Sequence, residues 1–294
     1  MPIVRPGGPY LSRSISPYRP KRVPARFTLR KVCQQPQMSN KVRFTKIFDI
    51  GMYDGADTAY YLECGYNVIA VEANPELVGR AKRRFAGEIC SGQLTCINAA
   101  ISPNGEDVEL NVAGDDPASN SLFSDRIAHK QPIGAITVPG VTLHQLVERF
   151  GTPDYLKVDI EGADHLCVLS LTSETRPNFL SFEVGDDVDQ LLTHVESIGF
   201  QRFKVINQCT FRNLINQRCL YDRVTQRLMR YMGYHEPLRI RRAGRFFVTG
   251  RSSGPVPWRS DGPWRSGDAT RSGLRKSKTS NGLSDTYDIH ATIG

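Results

Sequence analysis

Phe48-Asp49-Ile50-Gly51-Met52-Tyr53-Asp54-Gly55-Ala56-Asp57-Thr58, followed by Val68-Ile69-Ala70-Val71-Glu72-Ala73-Asn74-Pro75, reads as two buried parallel strands joined through a glycine turn and a helix. Ile47, Phe48 and Ile50 make the short apolar run of a strand covered on both faces. Gly51 and Gly55 allow tight turning and close approach of backbone to a ligand. Ala56 to Leu62 opens a helix whose first N–H groups lack partners within the helix. The second strand, Asn67 to Val71, ends at Glu72, where a carboxylate is placed to accept hydrogen bonds from both hydroxyls of a ribose. Gly51 and Glu72 are roughly 20 positions apart, as expected when one helix separates two such strands.

The ligand this half-site suits is not a dinucleotide. A pyrophosphate needs G-x-G-x-x-G, and Tyr53 stands where the middle glycine would be. Asp54 adds a negative charge beside any phosphate. A ligand without phosphate and with a cationic amino group turns Asp49 and Asp54 into assets, and S-adenosylmethionine is such a ligand.

Outward from this pair the pattern repeats. Pro75 to Phe85 is expected to be a helix with Pro75 in its first turn. Leu94 to Ile97 reads as a third strand leading into Asn98-Ala99-Ala100-Ile101-Ser102. Val108 to Val112 alternates like a half-exposed strand. Ala113 to Ile133 is polar and reads as a long loop. Thr137 to Val141 is a short edge-like strand, and Thr142 to Phe150 a helix ended by Gly151-Thr152-Pro153. Tyr155 to Ala163 is a strand with carboxylates at its carboxyl end, then Asp164 to Leu171 a helix. Asn178 to Val184 is a strand ending in Glu183, followed by a helix over Val188 to Ile198 and a strand over Gln201 to Ile206. Leu214 to Met232 is a basic helical stretch, Arg245 to Val248 a last strand, and Ser266 to Gly294 a disordered segment. Alternation of this kind gives an α/β fold: a Rossmann-like, doubly wound, mostly parallel sheet, here with disordered basic tails. Ligands bind outside the carboxyl ends of the strands in such sheets, where Asp49, Glu72, Asp159 and Glu183 converge.

Composition bounds the rest. The chain has 294 residues, 39% hydrophobic, with a formal net charge of +8. That charge is uneven. Residues 1–48 carry eleven Lys or Arg and no acid, residues 49–199 nine basic and 24 acidic, and residues 200–294 eighteen basic and six acidic. An acidic body between basic ends describes the chain better than its net charge does. Seven dispersed cysteines without a C-x-x-C pair argue against a disulfide framework and a zinc site, and suit reduced thiols in a cytoplasm. No run of 18 apolar residues suggests a membrane span. The first 40 residues are rich in Pro and Arg; Pro6, Pro9, Pro17, Pro20 and Pro24 oppose an amphipathic targeting helix, so a disordered tail is expected ahead of a transit peptide.

Several strings together resemble the FkbM-type methyltransferases: FDIGMYDGADTAYYL, VIAVEANPELV, NAAIS, DYLKVDIEGADHLCVLSL and PNFLSFEV. The resemblance covers roughly residues 43–206 and is strongest in K-V-D-I-E-G-A-D; Ser252-Ser253-Gly254-Pro255 is similar to a segment near the end of some members. Two positions depart from it. Asp164 stands where Glu is frequent, and Ala73 where Pro is frequent. The resemblance implies the class I methyltransferase fold over residues 41–255, between tails at 1–40 and 256–294. It also implies S-adenosylmethionine as donor and a hydroxyl of a small or carbohydrate-like molecule as acceptor. It places Asp49, Gly51, Tyr53, Asp54 and Gly55 around the methionine part of the donor, Glu72 on the ribose, and Ala73, Asn98 and Ala100 along the adenine.

Methyl transfer to a hydroxyl needs donor and acceptor held in line and a proton acceptor nearby. Asp159 and Glu161 stand where the methyl group is expected, as base or as ligands of a divalent metal. Equally, Asp159 and Glu161 suit capping of the following helix. His165 is a further candidate base; Glu183 is a weaker carboxylate of the same type. Arg223 to Arg245, with Tyr231, Tyr234 and Phe246, leaves open a nucleic-acid acceptor. A binding module that kept the fold and lost turnover is a third reading.

Overall fold

The computed structural model describes residues 45–113, 132–160, 162–214, 239–280 and 287–294. The N-terminal tail, Glu161, most of the expected 113–133 loop and most of the expected 214–232 helix lie outside them. At the centre is β1 (Lys46–Ile50), whose Ile47, Phe48 and Ile50 are at most 1% exposed. It pairs in parallel with β2 (Asn67–Glu72) on one side and β8 (Tyr155–Val158) on the other. Beyond β2 lies β3 (Leu94–Asn98), and beyond β8 lies β9 (Phe179–Glu183). β1, β2, β8 and β9 bury apolar residues on both faces, so their runs read as continuous rather than alternating, whereas edge strand β3 buries only Leu94.

The connections are helical. α1 (Ala56–Glu63) joins β1 to β2, and α2 (Pro75–Arg84) with α3 (Ala86–Cys90) joins β2 to β3. α2 starts as its sequence predicts: Asn74 accepts from the Glu76 N–H, and Pro75 follows at the first helical position. Two short pairings are inserted next. β4 (Ala100–Ile101) pairs with β7 (Gly140–Val141), and β5 (Val108–Ala113) with β6 (Pro132–Val138). α4 (Leu143–Phe150) then leads into β8, opened by a reciprocal cap between Thr142 and Gln145. α5 (Asp164–Val168) is shorter than expected. α6 (Val188–Ser197) leads to β10 (Arg202–Asn207), and β11 (Arg239–Arg242) with β12 (Arg245–Val248) makes a separate two-stranded ribbon.

The C-terminal region corrects the sequence reading. Residues 266–294 were expected to be disordered, yet Gly267–Ser280 forms α7 and Tyr287–Thr292 forms β13, every residue of which is buried. β13 lies between β10 and β9, antiparallel to both, giving the order β10-β13-β9-β8-β1-β2-β3. Two of its polar side chains each have one atom partnered inside the protein. Asp288 Oδ1 accepts from Gln208 Nε2 at 2.8 Å, and His290 Nδ1 lies 3.1 Å from Ser260 Oγ. Polar alternation therefore marks a buried strand with internal partners, not a solvated tail. Because β13 runs antiparallel, Asp288 near its start sits level with Glu183 at the end of β9. The rim that carries the carboxyl ends of the parallel strands gains an acid from the C-terminal region. No helix among the described residues is long and apolar enough to cross a membrane.

Candidate active site

The turn after β1 holds the first half of the site. Gly51 has φ +84, and a Cβ there would stand 1.8 Å from the Asp159 carbonyl oxygen, so only glycine fits. Tyr53 also adopts a positive φ, of 53. That conformation turns its N–H toward Glu72 Oε2, at 2.8 Å, while the Asn74 N–H donates to Oε1, also at 2.8 Å. Each Glu72 oxygen keeps a lone pair for another donor. Burial pushes the Glu72 carboxyl up, against the opposing pull of these two N–H groups. Asn98 works behind this wall: its Nδ2 donates to the carbonyls of Glu72 and Ala73 at 3.0 and 2.8 Å.

The second half centres on a residue that sequence reasoning missed. Lys157, in the middle of β8, is 3% exposed. Its Nζ lies 3.3 Å from Asp49 Oδ1, 3.3 Å from Asp159 Oδ2 and 3.6 Å from Asp57 Oδ2, and donates to the Gly51 carbonyl at 3.3 Å. Burial alone would pull its ammonium down, but Asp49, Asp159 and Asp57 together hold it well above its usual value. Lys157 is thus a fixed cation, not a base. Burial pushes the Asp57 carboxyl up to about 6, with Lys157 pulling the other way. Asp57 accepts from the Ser252 hydroxyl and from the Ser253 N–H at 2.9 Å, so a segment nearly 200 residues downstream is tied to the first turn of α1. A lysine inside an otherwise apolar strand was the available signal. It announces buried counter-charges.

Asp159 does not cap α5. The N-cap position there is Ala163, without a side-chain bond. Asp164 holds the loop instead, accepting from the N–H groups of Ile160 and Glu183, both at 2.9 Å. Burial, then Asp159, raises the Asp164 carboxyl to about 6. The Asp159 side chain is left beside Lys157 with 35% of its surface exposed.

Between the halves is a cavity of about 300 Å³, at the small end of the roughly 300–1,000 Å³ typical of small-molecule sites. Ile50, Val71, Leu77, Ala99, Ala100, Ile101 and Leu110 supply apolar wall; Tyr53, Asp57, Glu72, Lys157, Asp159, Glu183, Gln208, Arg251, Ser252 and Ser253 supply polar groups. Of the residues singled out from sequence, Gly51, Tyr53, Glu72, Ala73, Ala100, Asp159 and Glu183 line this cavity. Asp49, Asp54, Gly55 and Asn98 are not among its lining residues. Asp49 binds Lys157 and accepts from Thr58 Oγ1 at 2.6 Å, and Asp54 accepts from the Ala56 N–H. His165 is not among the lining residues; its Nδ1 is 4.0 Å from Asp187. Glu161 lies outside the described residues. Among the described residues no group of three or more His, Cys, Asp or Glu is arranged to hold a metal ion. The donor set fits S-adenosylmethionine: a doubly anchored carboxylate with spare lone pairs, apolar wall for a base, and carboxylates for its cationic groups.

A family model for the methyltransferase FkbM domain matches residues 49–212. No curated protein matches the chain significantly. Among solved structures, the precorrin-6y C5,15-methyltransferase of Geobacter metallireducens is 9% identical, with a TM-score of 0.37 over 85% of this chain and 80% of that one. A TehB-like SAM-dependent methyltransferase of Corynebacterium glutamicum is 12% identical, with a TM-score of 0.31 over 56% of this chain and 70% of that one.

Proposed function

The chain belongs to the FkbM methyltransferase family and is an S-adenosylmethionine-dependent methyltransferase, and from this premise we propose that it methylates a hydroxyl oxygen of a small or carbohydrate-like acceptor. The donor, when bound, supplies a methyl group activated on a sulfonium. Glu72 holds the ribose, Ala73 and Ala100 lie along the base, and Gly51 and Tyr53 shape the backbone against the remainder. Asp49 and Asp54 act at one remove, by fixing Lys157 and the loop. Asp159 accepts the proton of the acceptor hydroxyl.

The observation that supports this most is the Asp159 carboxylate. It reaches the cavity from the end of β8, is kept off the helix by Asp164, and is oriented by Lys157 at 3.3 Å. A base must be held within reach of a defined proton, and this arrangement does so. Glu183, at the next strand end, lines the same region. The test is turnover on a panel of hydroxylated acceptors with wild type and Asp159→Asn. Loss of turnover with donor affinity retained supports the assignment. Equal turnover by the variant refutes it, and donor binding without turnover on any acceptor favours a non-catalytic module.

A second reading is favoured by the β11–β12 ribbon. Arg239, Arg241 and Phe246 are exposed there, with the Arg239 guanidinium 5.2 Å from the Phe246 ring centre. Arginine beside an exposed aromatic ring suits stacked bases and phosphates, so a nucleic-acid acceptor is the alternative. Salt-dependent RNA binding abolished by Phe246→Ala with Arg241→Ala would support it.

A further inference from the structure

We infer that Arg251 binds the carboxylate at the amino-acid end of the methyl donor, an assignment that rests on the donor reading above and adds a residue to it. The donor carries a sulfonium, an ammonium and one carboxylate. The acids lining the cavity answer the two cations. The carboxylate needs a cation of its own, and two basic side chains, Lys157 and Arg251, line the cavity among the described residues. Lys157 is committed: its buried Nζ already faces Asp49, Asp57, Asp159 and the Gly51 carbonyl. Arg251 is not. Its side chain is 53% exposed, and its Nη1 lies 3.4 Å from Asp54 Oδ2. An exposed pair of that length contributes at most about 1 kcal/mol, and a guanidinium has donors to spare for a second, forked carboxylate contact.

Its position is fixed by its neighbours. Ser252 and Ser253 are both bonded to Asp57 at the start of α1. Gly254 follows with φ +87, where a Cβ would stand 2.6 Å from the Phe211 ring. Those contacts fix residues 250–253 along the cavity lining, and the Asp54 carboxylate lies beside the guanidinium. Arg251 is therefore a binding residue and Asp54 a positioning residue. That also gives Asp54 a function although it does not itself line the cavity.

Calorimetry on the full chain separates this assignment from the donor reading. The probes are S-adenosylhomocysteine and 5′-methylthioadenosine, which keeps the adenosine and the thioether but lacks the amino-acid end. Arg251→Ala is expected to weaken S-adenosylhomocysteine about tenfold to a hundredfold, the worth of a charged hydrogen bond, and to leave 5′-methylthioadenosine unchanged. Arg251→Lys, which keeps the charge without the fork, is expected to fall between wild type and Arg251→Ala. Unchanged S-adenosylhomocysteine affinity in Arg251→Ala, or equal losses for both probes, overturns the assignment and leaves the donor reading standing. A folded wild type that binds neither probe overturns the donor reading and this assignment with it.

Discussion

On the β1–β2 side of the cavity, Tyr53 and Glu72 are 19 residues apart and meet through a backbone N–H. On the β8–β9 side, Asp57 meets Ser253 across 196 residues, and Gln208 meets Asp288 across 80. The first side is one turn, one helix and two strands, with backbone groups making the decisive contacts. The second is collected from α1, β8, β9, the residues after β10, the 250–253 segment and β13, and it joins side chains to one another as well as to backbone. Damage to the buried contacts of the assembled side should therefore cost the fold itself, and damage to the local side mainly its ligand.

The strongest trial of that contrast is removal of residues 287–294. It takes a buried strand from between β9 and β10, and a chain ending at residue 286 is expected to show no cooperative unfolding transition by circular dichroism. A cooperative transition near that of the full chain would make β13 an accessory. Next is Lys157→Ala, which strands three carboxylates around the space it occupied and is expected to destabilise by about 3–5 kcal/mol in urea unfolding. A loss below about 1 kcal/mol would show that water already screens this cluster.

A pH difference follows from Asp57. Its carboxyl is raised by burial from 3.8 to about 6. Between those values the unfolded chain has released the proton while the folded one keeps it. The stabilisation from this group is complete below about pH 4 and disappears as pH rises to about 6. Relative to Asp57→Asn, the wild type is expected to lose up to about 3 kcal/mol over that window. A stability difference independent of pH would rule this out. The smallest effect belongs to the local side. Glu72→Gln should lower S-adenosylhomocysteine affinity about tenfold, with unfolding shifted by about 1 kcal/mol or less. A large loss of stability would mean that Glu72 holds the turn rather than the ribose.

The same contrast explains what could be read from sequence. β1, β2 and the turn between them follow from residues 47–72 because apolar runs, glycines and a terminal carboxylate carry their meaning at fixed spacing. The alternation of strands and helices up to residue 207 was legible for the same reason. β13 was not. Tyr287-Asp288-Ile289-His290-Ala291-Thr292 alternates polar and apolar residues after a Ser/Gly/Lys-rich stretch, and only Gln208 and Ser260, far away in sequence, make its polar positions tolerable inside. Burial, reinforced by Lys204, pulls His290 down to about 3, so it stays neutral there. Lys157 was visible as an oddity, but its three partners could not be named without knowing that α1 and the 157–159 segment share one end of the sheet. Asn98, placed along the adenine by resemblance, donates its amide to the carbonyls of Glu72 and Ala73.

The late strand has one more consequence, for the order in which a growing chain can finish the sheet. β9 and β10 are synthesised well before residues 287–292, and neither pairs with the other in the final order. Until β13 arrives, each presents a row of open N–H and C=O groups along an apolar edge, a template for unwanted pairing. Closing that gap spans some 80 residues of sequence, which makes it a slow, non-local event. A nascent molecule can hold a finished Glu72 side while β10 still stands apart from the five strands β9-β8-β1-β2-β3.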